Sequence, residues 1–198
     1  MKRSLLTSLA CGLLLSLPAW AQHEGHHSGS TVNSMMKVME ANMTRMRAIK
    51  PTGDADHDFA SIMKMHHQGA VDMVNAYTPQ AKNAEMKTMA RRMNTMQKKE
   101  IQDFTAFLSG HKPQSSTAQF GRKSMQMMHK GDSHAMSGNP DQDFVAMMSE
   151  HHQMGIDMAN AFLKEAKTEK MRGMAQSIIR EQTKEIKDMQ DWQAKNKG

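Results

Sequence analysis

The chain has 198 residues, 26 of them Lys or Arg and 20 Asp or Glu, with 24 methionines, one cysteine and 5% aromatics. A net charge of +6 without clustered Arg/Lys and interleaved aromatics argues against nucleic acid as a partner. The length suffices for one compact core plus a short tail, and no stretch approaches the ~20 consecutive apolar residues of a membrane helix.

Lys2 and Arg3, an apolar run from Leu5 to Leu17, and Ala19-Trp20-Ala21 predict a Sec-type signal peptide over 1–21, cleaved after Ala21. Cys11 falls inside it, in a poor lipoprotein box. The mature chain, 22–198, is therefore expected to lack thiols and to enter the periplasm or the medium without inserting in a membrane. Thiols in an oxidising compartment tend towards disulfides, so a soft-metal site there is better built from methionine and histidine.

Residues 22–32 are small, polar and His-rich, and predict a disordered tail. Its His23, His26 and His27 offer weak metal capture, and a free amine beside His23 chelates Cu(II) unless Gln22 cyclises. The first helical repeat is expected over 33–112. A helix over 33–49 aligns Met35, Met39, Met43, Met46 and Ile49 on one face. A second, 56–77, starts behind Asp54 and Asp56 and closes at Thr78-Pro79. A third, 81–108, carries Met86, Met89, Met93, Met96, Phe104 and Phe107 on one stripe. Residues 113–140 read as a linker with a short Met/His-rich helix over 123–129. Met125, Met128, His129, His134 and Met136 form a more exposed candidate cluster there. The second repeat, 141–198, contains helices over 141–164 and 168–195.

The repeats are visible as such. DFASIMKMHHQGAVDMVNA at 58–76 and DFVAMMSEHHQMGIDMANA at 143–161 align without a gap at an offset of 85 residues, and Glu100-Ile101 matches Glu185-Ile186 at the same offset. A duplicated helical hairpin buries its apolar stripes against its twin. The expected fold is all-α: a four-helix bundle of two hairpins with an extra N-terminal helix, 33–198 forming one body.

On a helical wheel of about 100° per residue, His66 is centred among Phe59, Met63, Ala70, Met73 and Tyr77. His151 sits likewise among Phe144, Met148, Gly155, Met158 and Phe162, while His67 and His152 fall at the rim, where metal could reach them. Met63/His66/Met73 and Met148/His151/Met158 are thus candidate soft-metal faces, thioether plus imidazole suiting Cu(I), with histidine adding affinity for Cu(II). Met147, Met154, Met89, Met93 and Met174 enlarge both groups. Two plainer readings stand beside this one. Methionine is a common gap-filler, and most of these stripes are expected to be packing. A buried His66 would also be satisfied by hydrogen bonding to Glu100, although a turn near residue 80 sets Met93, not Glu100, level with it.

The pattern D-x-x-F-x-x-x-M-x-x-H-H-x-x-A/G-x-x-M-A, followed by Q-x-x-E-I, resembles a widespread bacterial envelope family catalogued as a domain of unknown function. Asp56, Phe59, His66-His67 and Gln97-x-x-Glu100-Ile101 carry it in the first copy; Asp141, Phe144, His151-His152 and Gln182-x-x-Glu185-Ile186 carry it in the second. Val74 departs from the pattern's alanine, and Ile178 stands where the first copy has Met93. The resemblance implies a ferritin-like bundle and, from a characterised type, periplasmic copper binding associated with copper tolerance.

The expected function is sequestration or shuttling of copper, Cu(I) preferred and Cu(II) accepted, with envelope copper-efflux or oxidase components as partners. A di-iron oxidase would need Glu-x-x-His on two bundle helices; here that spacing occurs only at Glu24–His27, so no enzyme is expected. A metal-free scaffold or chaperone with a Met-lined groove is the third alternative.

Overall fold

The computed structural model describes residues 27–114, 119–127 and 136–196, with side chains from 34 onward in the first stretch. Among them are six helices and no strand: α1 His27–Arg47, α2 Ala55–Tyr77, α3 Ala84–Gly110, α4 Phe120–Met127, α5 Pro140–Leu163 and α6 Glu169–Lys195. The bundle of two hairpins is as expected. The expected signal peptide and residues 22–26 of the expected tail lie outside the described residues. Helix α1 begins at His27, earlier than the expected 33, and the short helix α4 begins at Phe120 rather than 123.

The four long bundle helices start where a side chain satisfies their free amides. Asp54 accepts from Asp56 N and His57 N at the head of α2, Asn83 from Met86 N for α3, Asn139 from Asp141 N for α5, and Thr168 from Met171 N for α6. The entries to α2 and α5 are built alike. Asp58 accepts from the amide and hydroxyl of Thr52 and from Gly53 N; Asp143 does the same for Ser137 and Gly138. Gly53 and Gly138 have φ of 85° and 80°, which favours glycine there.

The hairpins are tied to each other by a reciprocal bond. Asp56, at the head of α2, accepts from Lys167 N and Thr168 N, in the turn of the other hairpin. Asp141, at the head of α5, accepts from Lys82 N and Asn83 N in the first hairpin's turn, and also from the Tyr77 hydroxyl at 2.6 Å. Burial and the Asp141 carboxylate push the Tyr77 hydroxyl well above its usual range, so it stays a donor. Bonds to a charged acceptor are worth about 1.5–3 kcal/mol each. Asp141→Ala is therefore expected to destabilise by on the order of 3 kcal/mol or more. Asp56→Ala should cost less, because Phe162 stands where the other repeat has Tyr77. Urea denaturation of both variants checks this ranking, and equal losses would contradict it.

Helices α2 and α5 run antiparallel through the middle, α3 pairs with α2 and α6 with α5, and α1 and α4 lie across the central pair. The core falls into two clusters. One gathers Phe59, Met63, Phe104, Phe120, Met158 and Phe162; the other gathers Met35, Met73, Tyr77, Met93, Phe144 and Met148. Between them lies a layer of buried histidines.

Candidate metal centre

Stacked rings set the register of α2 against α5. Phe59 lies on Phe162 with centroids 4.0 Å apart and planes at 5°, and Tyr77 lies on Phe144 at 4.1 Å and 12°. Midway between these stacks the antiparallel helices bring His66 face to face with His151, centroids 3.7 Å apart at 28°. Both rings are buried, and neither Nδ1 nor Nε2 of either has a hydrogen-bond partner. Desolvation first, then the neighbouring imidazoles, holds His66 well below its ordinary pKa; desolvation and then His152 and His67 hold His151 down at about 3. Both are therefore neutral imidazoles, the form that ligates a metal.

His67 and His152 correct the expectation of a rim position, since both are fully buried. His67 Nε2 lies 2.8 Å from Glu100 Oε2, and His152 Nε2 lies 2.8 Å from Glu185 Oε2. The separations are short, but their direction falls outside hydrogen-bond geometry. Glu100 thus meets His67, not His66. The reason is helix surroundings: α2 is covered on two sides, so His66 faces α5 while its neighbour faces α3. The predicted level of Glu100 also shifts, because the 3-10 turn Thr78–Gln80 and residues 81–83 move the hairpin's midpoint. Pairing of His67 with Glu100 and of Asn75 with Asn94 puts that midpoint near residue 84. Gln97 and Gln182 complete the layer, Gln97 Oε1 and both Gln182 amide atoms having no partner.

The predicted methionine faces separate across this layer. Met63 joins Met158 in one cluster and Met73 joins Met148 in the other, each from opposite repeats, and all four are fully buried. Where the two histidines meet, a cavity of about 60 Å³ opens between α1, α2 and α5. Met39, Met43, Met46, Met154, His66 and His151 line it, with Asn42, Gly69 and Glu150. Helix α1 is seated by Asn42 Nδ2 donating to Met65 O at 2.8 Å and by Arg45 paired with Asp72 at 2.7 Å. Gly69 makes that seating possible, since a Cβ there would lie 2.6 Å from Asn42 Oδ1. A Cβ at Gly155 would run into Gln182 Oε1. The space left by the small residue at 155 is thus taken by a partner side chain, the Gln182 amide.

Met39, Met43 and Met46 were legible only as a helix face, and Met154 only as a neighbour of His151. The signals that single them out are Gly69, the one glycine within α2, and Asn42 inside a methionine stripe. The linker cluster does not assemble among the described residues: Met125 packs on the Phe59 cluster and Met136 on the Phe144 cluster. His23, His26, Met128, His129 and His134 lie outside the described residues, as does the side chain of His27.

Chemically, the cavity offers thioethers and neutral imidazoles whose nitrogens are unspent. Among the described residues no group of three His, Cys, Asp or Glu could hold a metal. Thioether sulfur and neutral imidazole are donors of the kind soft ions prefer over hard ones. An unpaired buried polar group costs about 1–3 kcal/mol, which an ion bound to these nitrogens would offset.

The family described as "Domain of unknown function (DUF305)" matches residues 12–108 and 56–193. The chain is similar to CopM in its Ag-bound form, with 28% identity and a TM-score of 0.57, covering 72% of this chain and 98% of that one. CopM in the Cu(I)-bound form gives 27% and 0.56 over the same shares. A DUF305 protein from Streptomyces coelicolor, at 21% identity and a TM-score of 0.62 over 73% of this chain and 95% of its own, shares the fold. No curated protein matches.

Proposed function

The chain belongs to the DUF305 family, and from that premise we propose that it is a periplasmic protein that binds Cu(I) between the His66–His151 pair and the methionines of the adjoining cavity. The observation that carries this reading is the pair of neutral, buried imidazoles with unspent nitrogens beside four methionines. The Cu(I)- and Ag-bound forms of CopM, similar over most of this chain, support it. In this reading the protein sequesters or shuttles copper and contributes to copper tolerance. Cu(II) would be a weaker guest, because a thioether-rich set favours the monovalent ion. Copper-efflux or oxidase components of the envelope are the proposed exchange partners. No helix among the described residues is long and apolar enough to cross a membrane.

The test is a Cu(I) titration of residues 22–198 against a competing chelator. Replacing Met39, Met43, Met46 and Met154 together by Leu removes every thioether of the cavity at nearly constant volume, a swap that usually costs under about 1.5 kcal/mol per site. Cu(I) affinity is expected to fall at least about a hundredfold, equivalent to roughly 2.7 kcal/mol, while the variant still melts cooperatively. Undiminished affinity would sink the reading.

A further inference from the structure

The duplication leaves two grooves between α3 and α6, and they have diverged. In one, Met89 and Trp192 lie beside the Arg92–Asp188 ion pair, closed at 2.9 Å. The other groove holds the repeat counterparts: Met174 for Met89, Gly173 for Thr88 and Ser177 for Arg92. Without the arginine no bridge crosses it. A Cβ at Gly173 would meet nothing within 4 Å, and the groove measures about 520 Å³ against about 350 Å³ for its twin. It also gains Met96, which is 37% exposed and one of two exposed large apolar side chains among the described residues.

Two thioethers, Met96 and Met174, therefore share this groove with four carboxylates, Glu100, Asp103, Glu169 and Glu181. Carboxylates outnumber lysines in its lining, and Lys99 is held by Asp103 at 2.7 Å. Glu100 also touches His67, whose ring lies 6.1 Å from that of His66. The groove sits on the α3/α6 face, the methionine cavity on the α1 face, and the histidine layer runs between them.

We propose that this groove is a second soft-metal site, taking Cu(I) on Met96 and Met174 with Glu100 and Glu181 balancing its charge. The proposal rests on the reading that the chain binds Cu(I). Thioether sulfur selects the soft ion, and the carboxylates offset its charge. Its exposure makes it the exchangeable site: it loads after the enclosed cavity and releases first, on the surface a donor or acceptor can reach.

Ag(I), a stable monovalent stand-in, titrated into residues 22–198 carrying 13C-labelled methionine methyls, tests this by NMR. The first equivalent should shift the signals of Met39, Met43, Met46 and Met154, and the next those of Met96 and Met174. The variant Met96→Leu/Met174→Leu should lose one equivalent and keep the first unchanged. Unmoved Met96 and Met174 signals, or an undiminished stoichiometry in that variant, would overturn the groove site and leave the cavity standing. A first equivalent that bypasses the cavity methionines would overturn the proposed function instead. Glu181→Gln, a substitution on the partly exposed groove lining, should weaken the second equivalent severalfold; no change would remove Glu181 from the proposal.

Discussion

The double variant His66→Leu/His151→Leu is expected to melt higher than the wild type and to lose tight Cu(I) binding. Both rings are buried with no hydrogen bond to either nitrogen, and each such unsatisfied group costs about 1–3 kcal/mol. Leucine has a similar volume and strands nothing. For a domain of this size about 1 kcal/mol moves the melting temperature by roughly 2–4 °C, so a rise of about 5 °C or more is expected. Melting curves recorded at neutral pH with a chelator present, beside a Cu(I) titration, check both halves. A lower melting temperature would mean that the imidazoles hold the fold together, and would remove the ground for calling them ligands. A rise would mark the pair as a site kept at the expense of stability.

Acid should unfold the metal-free protein earlier than its carboxylates alone would allow. His151 has an ordinary pKa of 6.5 that falls to about 3 in the fold, and that of His66 falls as well. Between those values the unfolded chain binds protons that the folded chain refuses, so stability declines as pH drops from about 6.5. Above 6.5 these two groups contribute nothing to pH dependence. At a full unit pKa difference per 1.36 kcal/mol, the loss by pH 4 is on the order of 3 kcal/mol for His151 alone. Asp54 acts in a different window. Its pKa is lowered despite burial because Gln114 N, His57 N and His111 bond to it, so its contribution is present above 3.8 and lost only below. Urea denaturation at several pH values between 4 and 7 should show the slope in the wild type and a shallower one in His66→Leu/His151→Leu. An equal slope in both would assign the acid sensitivity to other groups. If Cu(I) binds these nitrogens as proposed, it is expected to extend stability to lower pH.

The four bundle helices and their order were legible because each starts behind a capping side chain and carries an apolar stripe at helical spacing. Duplication was legible from the gapless offset, and it foretold two hairpins in one bundle. The partner of Glu100 was not. Sequence spacing locates residues along a helix but not the midpoint of a hairpin, and residues 78–83 displaced it. The His67 rim assignment failed because a wheel ranks apolarity around one helix and is blind to a second neighbour. The cavity was hidden for a related reason: Met39, Met43 and Met46 announce a buried face, while the helix they meet is decided by the Asn42–Gly69 contact.

The crossed bonds of Asp56 and Asp141 bear on the origin of the chain. Each carboxylate accepts amides that belong to the opposite hairpin. A lone hairpin would leave both the acceptor and the donors without partners, and two identical copies would satisfy them by symmetry. The polypeptide thus carries, within a single chain, the bonding pattern of a symmetric homodimer. Joined in one chain, the halves are free to differ, and they do: Met154 is the repeat counterpart of Gly69, and a bridged groove faces an unbridged one.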